Sequence, residues 1–272
     1  MRPARPPGFA SPWRSGAVLT HDLTRAAVRL FALAAVPVLM IGLSGYFVDG
    51  LTNGAGKVVG EDFVNYWTSG GLWLRARAVE AYDLDGFRAA IRALAGAPVE
   101  PYHFSYPPTM MALAAPFAAL PFLPALAAWT AAGYGALYLL LRQNAGPAWS
   151  AVAALAAPAA LVNALYGQNG AFTAVFLGGA LMALPTRPVV AGVLFGLLAF
   201  KPHLGVLVPL VLALGGHWRT FAAAAFTAVL AGLAAGAVGG FDAWAVYPAR
   251  MDFMRALMTD QGHGLWHRMP TA

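Results

Sequence analysis

The sequence predicts an all-α integral membrane protein, and three observations carry that prediction. Of 272 residues, 60% are hydrophobic and only 10% charged, whereas soluble domains carry about 25% charged residues. Long apolar runs recur, punctuated by single basic residues at Arg142, Arg187 and Arg219. The acids are gathered rather than dispersed, with seven of the eleven lying between Asp49 and Glu100. A membrane span takes about 20 apolar residues, and the composition supplies enough for seven. The absence of Cys excludes disulfides, thiol catalysis and thiolate metal sites. The net charge of +6 is an orientation signal: no Lys/Arg stripe with interleaved aromatics is present, so no nucleic-acid partner is expected. Neither a Gly-rich phosphate loop nor a dinucleotide fingerprint occurs.

Residues 1–24, rich in Pro and Arg, predict a disordered cytoplasmic N-terminus. Arg2, Arg5, Arg14, Arg25 and Arg29 precede the first apolar run, which fixes that end inside by the positive-inside bias. The run Leu30–Val48 starts too late for a cleaved signal peptide and reads as a first span. A polar outer loop, 49–105, follows. Within it Phe63, Tyr66, Trp67, Gly70 and Leu74 recur at helical spacing, predicting an amphipathic helix along the membrane interface. A second short helix is expected over 86–95, capped by Asp85.

Residues 107–141 would make one helix of about 52 Å, but Pro116, Pro121 and Pro124 interrupt it. The expectation is a short, partly interfacial helix starting at Tyr106-Pro107-Pro108, then a span from Leu123 to Leu141. With Arg142, Arg187 and Arg219 inside, the third span runs over about 149–165 and the turn 166–170 lies outside. The fourth span returns to Pro185-Thr186-Arg187-Pro188, a turn bounded by helix-stopping and helix-starting prolines. The fifth ends at Lys201-Pro202-His203, the sixth at His217–Arg219, and the seventh covers Thr220–Val238. The membrane module is thus 25–239, and 240–272 is assigned to the outer side.

The outer loop is where chemistry is sought. Asp62 sits at the edge of the expected amphipathic helix, either as its N-cap or as a carboxylate able to take a proton from a hydroxyl. Glu61 is the alternative base. Tyr102, His103 and Tyr106 would line the rim of a pocket by stacking on a sugar, or anchor the chain at the headgroups. Lys201 breaks an apolar run and reads as a contact for a lipid phosphate, or as a snorkelling side chain. Gln168 and Asn169 could hydrogen-bond hydroxyls or form an Asn-Gly turn. His263, His267 and Arg268 would add to an anion site. His263 and His267 alone have metal-like i, i+4 spacing, with Gly264 between them, so neither a metal nor another cofactor is expected.

Two other classes fit parts of the pattern. The interruption at Lys201-Pro202-His203 suits a secondary transporter, although repeated halves and a second interruption are missing. A non-catalytic membrane assembly subunit is the third reading.

Asp62-Phe63-x-x-Tyr66-Trp67, Ala81-Tyr82-Asp83, Tyr106-Pro107-Pro108, Gly167-Gln168-Asn169 and Lys201-Pro202 occur in that order. In this succession the chain resembles glycosyltransferase family 87 over residues 30–272. The resemblance implies a GT-C-type multi-span helical bundle with amphipathic interfacial helices in the first outer loop. It also implies a hexosyltransferase, of the mannosyltransferase type, in the plasma membrane with its site on the outer side. The donor would be a polyprenyl-phosphate sugar, the acceptor a lipid or glycan hydroxyl, and the transfer inverting. Asp62 matches the family's catalytic aspartate. Lys201, with His203 and His267, is then the choice for the donor phosphate, and Glu61, Tyr66, Tyr102, His103, Tyr106, Gln168 and Asn169 for substrate. Members of the family continue for several spans beyond the seventh, so the resemblance implies that C-terminal spans are missing here.

Overall fold

Prolines set many of the helix starts. Pro at the first helical position lacks only an N–H that would have no helical partner, and its φ is already helical. The computed structural model describes residues 50–53, 56–99, 102–145, 154 and 158–260. The N-terminal segment, the first span Leu30–Val48, most of the third span's first half, and the tail carrying His263, His267 and Arg268 lie outside the described residues.

Among the described residues the regular structure is helical, apart from a single bridge between Thr52 and Val58. The loop 49–105 contributes α1 (Phe63–Leu74), a 3-10 turn (Ala78–Tyr82) and α2 (Leu84–Ala95). There follow α3 (Pro108–Ala118) and α4 (Phe122–Ala145), then α5 (Pro158–Tyr166) and α6 (Gly170–Ala183). The next run consists of α7 (Pro188–Leu197), a 3-10 turn (Leu198–Phe200), α8 (Pro202–Gly205) and α9 (Val208–Leu214). Last come α10 (Trp218–Gly239) and α11 (Asp242–Asp260). The division of 107–141 into a short helix and a long one falls at Pro121, as expected there, whereas Pro116 lies inside α3 and Pro124 in the first turn of α4, where a missing N–H costs no helical bond.

Two local expectations are corrected. The cap of α2 is Asp83, whose carboxylate accepts from the Gly86 N–H at 3.2 Å. Asp83 has the extended backbone an N-cap requires, whereas Asp85 already lies in the first helical turn. The second concerns α1, whose expected face ran through Leu74. That residue is 48% exposed, while Phe63, Val64, Tyr66, Thr68, Ser69 and Gly70 are buried. Of the face expected at the interface, Phe63, Tyr66 and Gly70 are thus packed inside the protein, where α1 is clamped against α3. At Gly70 an added Cβ would sit 3.0 Å from the Ala118 Cβ and 3.2 Å from the Ala114 carbonyl carbon.

Two helices are long and apolar enough to cross a membrane, Phe122–Gln143 and Trp218–Gly239. The other apolar helices are shorter. At 14 residues, α6 is about 21 Å long, against a hydrocarbon core of about 30 Å. The sixth run is divided into α8 and α9. The helix α11 falls in a stretch assigned only to the outer side, without an expected element.

Small residues bring helices together where lipid-like side chains supply no hydrophobic drive. On α7, Gly192 and Gly196 face α10 so closely that a Cβ at 192 would lie 2.5 Å from Thr220 O and 2.5 Å from Ala223 Cβ. At 196 it would lie 2.6 Å from Ala224 O and 2.5 Å from Thr227 Cβ. These obstacles are mostly backbone or β-branched atoms and cannot swing away. Gly196→Ala should therefore lower stability by about 1–3 kcal/mol, the usual cost of overpacking. A thermal melt in detergent reads it, and an unchanged midpoint would contradict the close α7–α10 approach.

Candidate active site

The site is built where the turn 166–169 folds onto the start of α1. Gly167 has φ +63°, a left-handed conformation that glycine takes without strain. A Cβ there would stand 2.5 Å from the Phe63 Cβ. The turn is tied down by its own neighbours: Gln168 N–H donates to Asn163 O at 2.8 Å, and Gly170 N–H to the Asn163 Oδ1 at 3.0 Å. It is tied to the outer loop by the Asp62 N–H, which donates to Tyr166 O at 2.9 Å. Beneath lies Trp129 of α4, 1% exposed. Its Nε1–H donates to Gln168 O at 3.3 Å, and its ring packs on Phe63, Tyr66, Phe117 and Phe172.

Asp62 occupies the N-cap position of α1, but its carboxylate makes no capping bond and its backbone is already helical. The capping role weighed for it is therefore not the one it plays. The carboxylate instead hydrogen-bonds the Gln168 side chain. Burial raises its pKa above the ordinary aspartate value; the Gln168 bond and the charges of Lys57 and Lys201 pull the other way, and Glu61 adds to the rise.

A chain of polar groups runs on from there. The Tyr66 and Tyr106 hydroxyls are 3.2 Å apart. Asn169, 2% exposed, donates from Nδ2 to the Tyr66 hydroxyl at 3.1 Å and accepts on Oδ1 from the Lys201 Nζ at 3.2 Å. Tyr82 donates to Tyr106 O at 2.8 Å. Residues from five separate places in the sequence, Asp62/Tyr66, Tyr82, Tyr106, Gln168/Asn169 and Lys201, are thus brought into one network.

Other residues expected at a site are not part of this network. Glu61 pairs with Lys57 at 3.3 Å and accepts from Asn53 at 3.2 Å. The Tyr102 hydroxyl accepts from the Val58 N–H at 2.8 Å. His103 Nε2 lies 3.2 Å from an Arg88 Nη2. His203 is exposed one residue after Pro202, and His267 lies outside the described residues. No group of three His, Asp or Glu side chains able to hold a metal occurs among the described residues.

Against the network lies an apolar cavity of about 460 Å³. Pro107 and Pro202, the residues after Tyr106 and Lys201, both line it, with Phe195, Leu212, Phe221 and Tyr247. Sequence reasoning had no means of finding this cavity, because its walls come from α7, α9, α10 and α11 and carry no polar signature. Nor did it single out Trp129, one apolar residue in an apolar run.

The family model of glycosyltransferase family 87 matches residues 104–272. The chain belongs to glycosyltransferase family 87. The comparisons with curated proteins and with solved structures gave no match. As a family 87 glycosyltransferase the protein uses a sugar donor and an acceptor, and the transporter and assembly-subunit readings give way to an enzyme. The matched region holds Tyr106, Gln168, Asn169 and Lys201, whereas Asp62 precedes it. The tie between Asp62 and the matched region is made by geometry, through the Tyr166 carbonyl and the Gln168 side chain.

Asn169 is the joint of the network, so Asn169→Ala tests it. Removing a buried amide leaves its partners' donors and acceptors unmet, at a cost of about 1–3 kcal/mol. The midpoint of thermal unfolding should fall accordingly, and a variant as stable as the wild type would argue against the Tyr66–Asn169–Lys201 connection.

Proposed function

We propose that this family 87 glycosyltransferase moves a hexose, mannose by likeness to its family, from a polyprenyl-phosphate sugar to a hydroxyl of a lipid or glycan. The proposed setting is the outer side of the plasma membrane, in a seven-span module whose N-terminus is cytoplasmic. The observation that carries the reading is the state of Asp62: a partly buried carboxylate left uncapped, held by a neutral amide, with the Lys201 charge facing it.

In the proposed reaction Asp62 accepts the proton of the acceptor hydroxyl as that oxygen attacks the anomeric carbon. The new C–O bond forms on one face of the sugar while the bond to the phosphate oxygen breaks on the other, so the configuration inverts. The phosphate leaves with the electron pair, and Lys201 stabilises the charge that develops on it. Desolvation makes Asp62 a stronger base than a solvated aspartate, and the Gln168 bond keeps its carboxylate aimed. Asn169 fixes the ammonium of Lys201 by accepting one of its three donors. The apolar cavity beginning at Pro202 suits the isoprenoid chain of a donor whose phosphate is at Lys201. His203 is close in sequence to that phosphate position and joins the proposal as a secondary contact.

Asp62→Asn should reduce transfer from a polyprenyl-phosphate sugar by at least about 100-fold, the usual contribution of a general base. Because the raised pKa means that the charged form is disfavoured by folding, the same substitution should leave the melting midpoint unchanged or higher. Transfer at the wild-type rate by this variant would remove Asp62 from the mechanism. Lys201→Ala should raise the KM for the donor more than it alters acceptor use; unchanged donor kinetics would exclude the phosphate role.

The pH dependence has a definite sign. Transfer requires the Asp62 carboxylate ionised, so kcat/KM falls as pH drops through its raised pKa, at higher pH than an ordinary aspartate near 3.8 would give. Stability moves the opposite way for this group, since the folded state binds the proton more tightly than the unfolded chain. A pH–rate profile with its acid limb at or below that ordinary value would refute the assignment.

A further inference from the structure

A second charged cluster lies apart from Asp62. Arg88 on α2 donates from Nε to Tyr102 O at 3.2 Å, and its Nη2 is 3.2 Å from the His103 Nε2. Arg250 on α11 brings a third basic group: its charge acts on both Arg88 and His103. Arg250 is only 7% exposed, and its Nε is buried with no hydrogen-bond partner. Its guanidinium stacks over the Phe253 ring at 4.7 Å. Among the described residues no carboxylate pairs with any of the three. The ion pairs Lys57–Glu61 and Arg77–Glu80 of the same loop engage their own acids.

Such an arrangement is costly as it stands. Buried charges are normally paired, and here two guanidiniums and an imidazole act on one another with no carboxylate paired to them among the described residues. Together with burial, their mutual repulsion pushes the His103 pKa down to about 4. A guanidinium presents a planar fork that meets phosphate oxygens two at a time, which makes Arg the usual residue for such an anion. The position is also informative. Tyr247, one helical turn before Arg250, lines the apolar cavity, and its ring lies 6.1 Å from that of Tyr82. An anion held at Arg250 therefore sits beside an apolar cavity.

We propose that Arg88, His103 and Arg250 form a phosphate-binding site, occupied by the phosphodiester of an anionic lipid at the edge of the cavity assigned above to the donor's isoprenoid chain. The site is separate from Lys201 and stands whether or not Asp62 is the base. Its phosphate supplies the unmet acceptor for the Arg250 Nε and neutralises the convergence of α2 and α11.

The test uses the full chain purified in detergent, titrated with phosphatidylglycerol or with phosphatidylcholine of the same acyl composition, bound lipid being counted by native mass spectrometry. A third arm adds inorganic phosphate and follows the melting midpoint. The wild type should retain phosphatidylglycerol at least about fivefold more tightly, as expected for charge-assisted contacts from two guanidiniums. Arg250→Gln and Arg88→Gln should each bring the two lipids towards parity, and Arg250→Lys should keep part of the preference. If Arg250→Gln does not fold, Arg88→Gln and His103→Gln carry the same test from half-buried positions. A midpoint raised by inorganic phosphate and abolished by these variants, without lipid preference, supports the phosphate site and assigns it to a soluble phosphate. Equal retention of both lipids with no response to phosphate overturns the proposal, as does an unchanged preference in the Arg88 and Arg250 variants. Asp62→Asn, which removes transfer under the reading above, should keep the lipid preference, so the two readings fail separately.

Discussion

The approach of the 166–169 turn to the first turn of α1 is the constraint on which the site depends. It requires a residue without a Cβ at position 167, because the Phe63 Cβ occupies that space. It also requires φ +63° there, so glycine is demanded twice over, by sterics and by backbone conformation. Once the turn is seated, the Asp62 N–H has its acceptor in Tyr166 O, and the Gln168 side chain arrives at the Asp62 carboxylate. The carboxylate is thereby freed from the capping duty that Asp normally takes at such a position. What fixes the turn from below is Trp129, whose indole both fills the space between α1 and α6 and donates to Gln168 O.

The interruption at Lys201 is of the same kind, a local break used to place a polar group. The run from Pro188 would continue as a helix, but Pro202 cannot donate the backbone bond that continuation needs. The chain passes through a 3-10 turn into the short α8, and Lys201 is left between them with a non-helical backbone. Its ammonium then meets the Asn169 amide rather than lipid. A charged group beside apolar helices is costly unless it finds a polar partner, and Asn169 is held in reach by the Tyr66 hydroxyl on its other side.

Much of this was legible in the sequence, for identifiable reasons. Prolines punctuate an apolar chain at Pro108, Pro188 and Pro202, and punctuation survives folding because it acts on the backbone. Polar residues in an apolar background, Gln168, Asn169 and Lys201, stand out by contrast alone. What was illegible is what depends on tertiary approach. The choice of Asp83 over Asp85 as a cap rests on which residue has the extended backbone, and both are aspartates two positions apart. Spacing alone puts Phe63, Tyr66 and Gly70 on one face of α1 but cannot say that α3 packs against that face. Arg250 carries no signal of its own in the sequence, because its place depends on α11 packing against the 78–82 turn.

The gathering of acids in the outer loop gains its meaning from their partners. Glu61 is paired to Lys57, Glu80 to Arg77, and Asp83 is spent on the Gly86 N–H. Each of these carboxylates is satisfied by a cation or a backbone donor nearby in sequence, and each serves to fold the loop. Asp62 differs from all three. Its partner is a neutral side chain more than a hundred residues away, and burial raises rather than lowers its proton affinity. A loop that needed only stability would place a cation or a capping bond there, since a desolvated carboxylate held by a neutral amide is the least stabilising of the available arrangements. That cost is intelligible if the group's work is to take up a proton, because the same desolvation that disfavours the charge makes it basic.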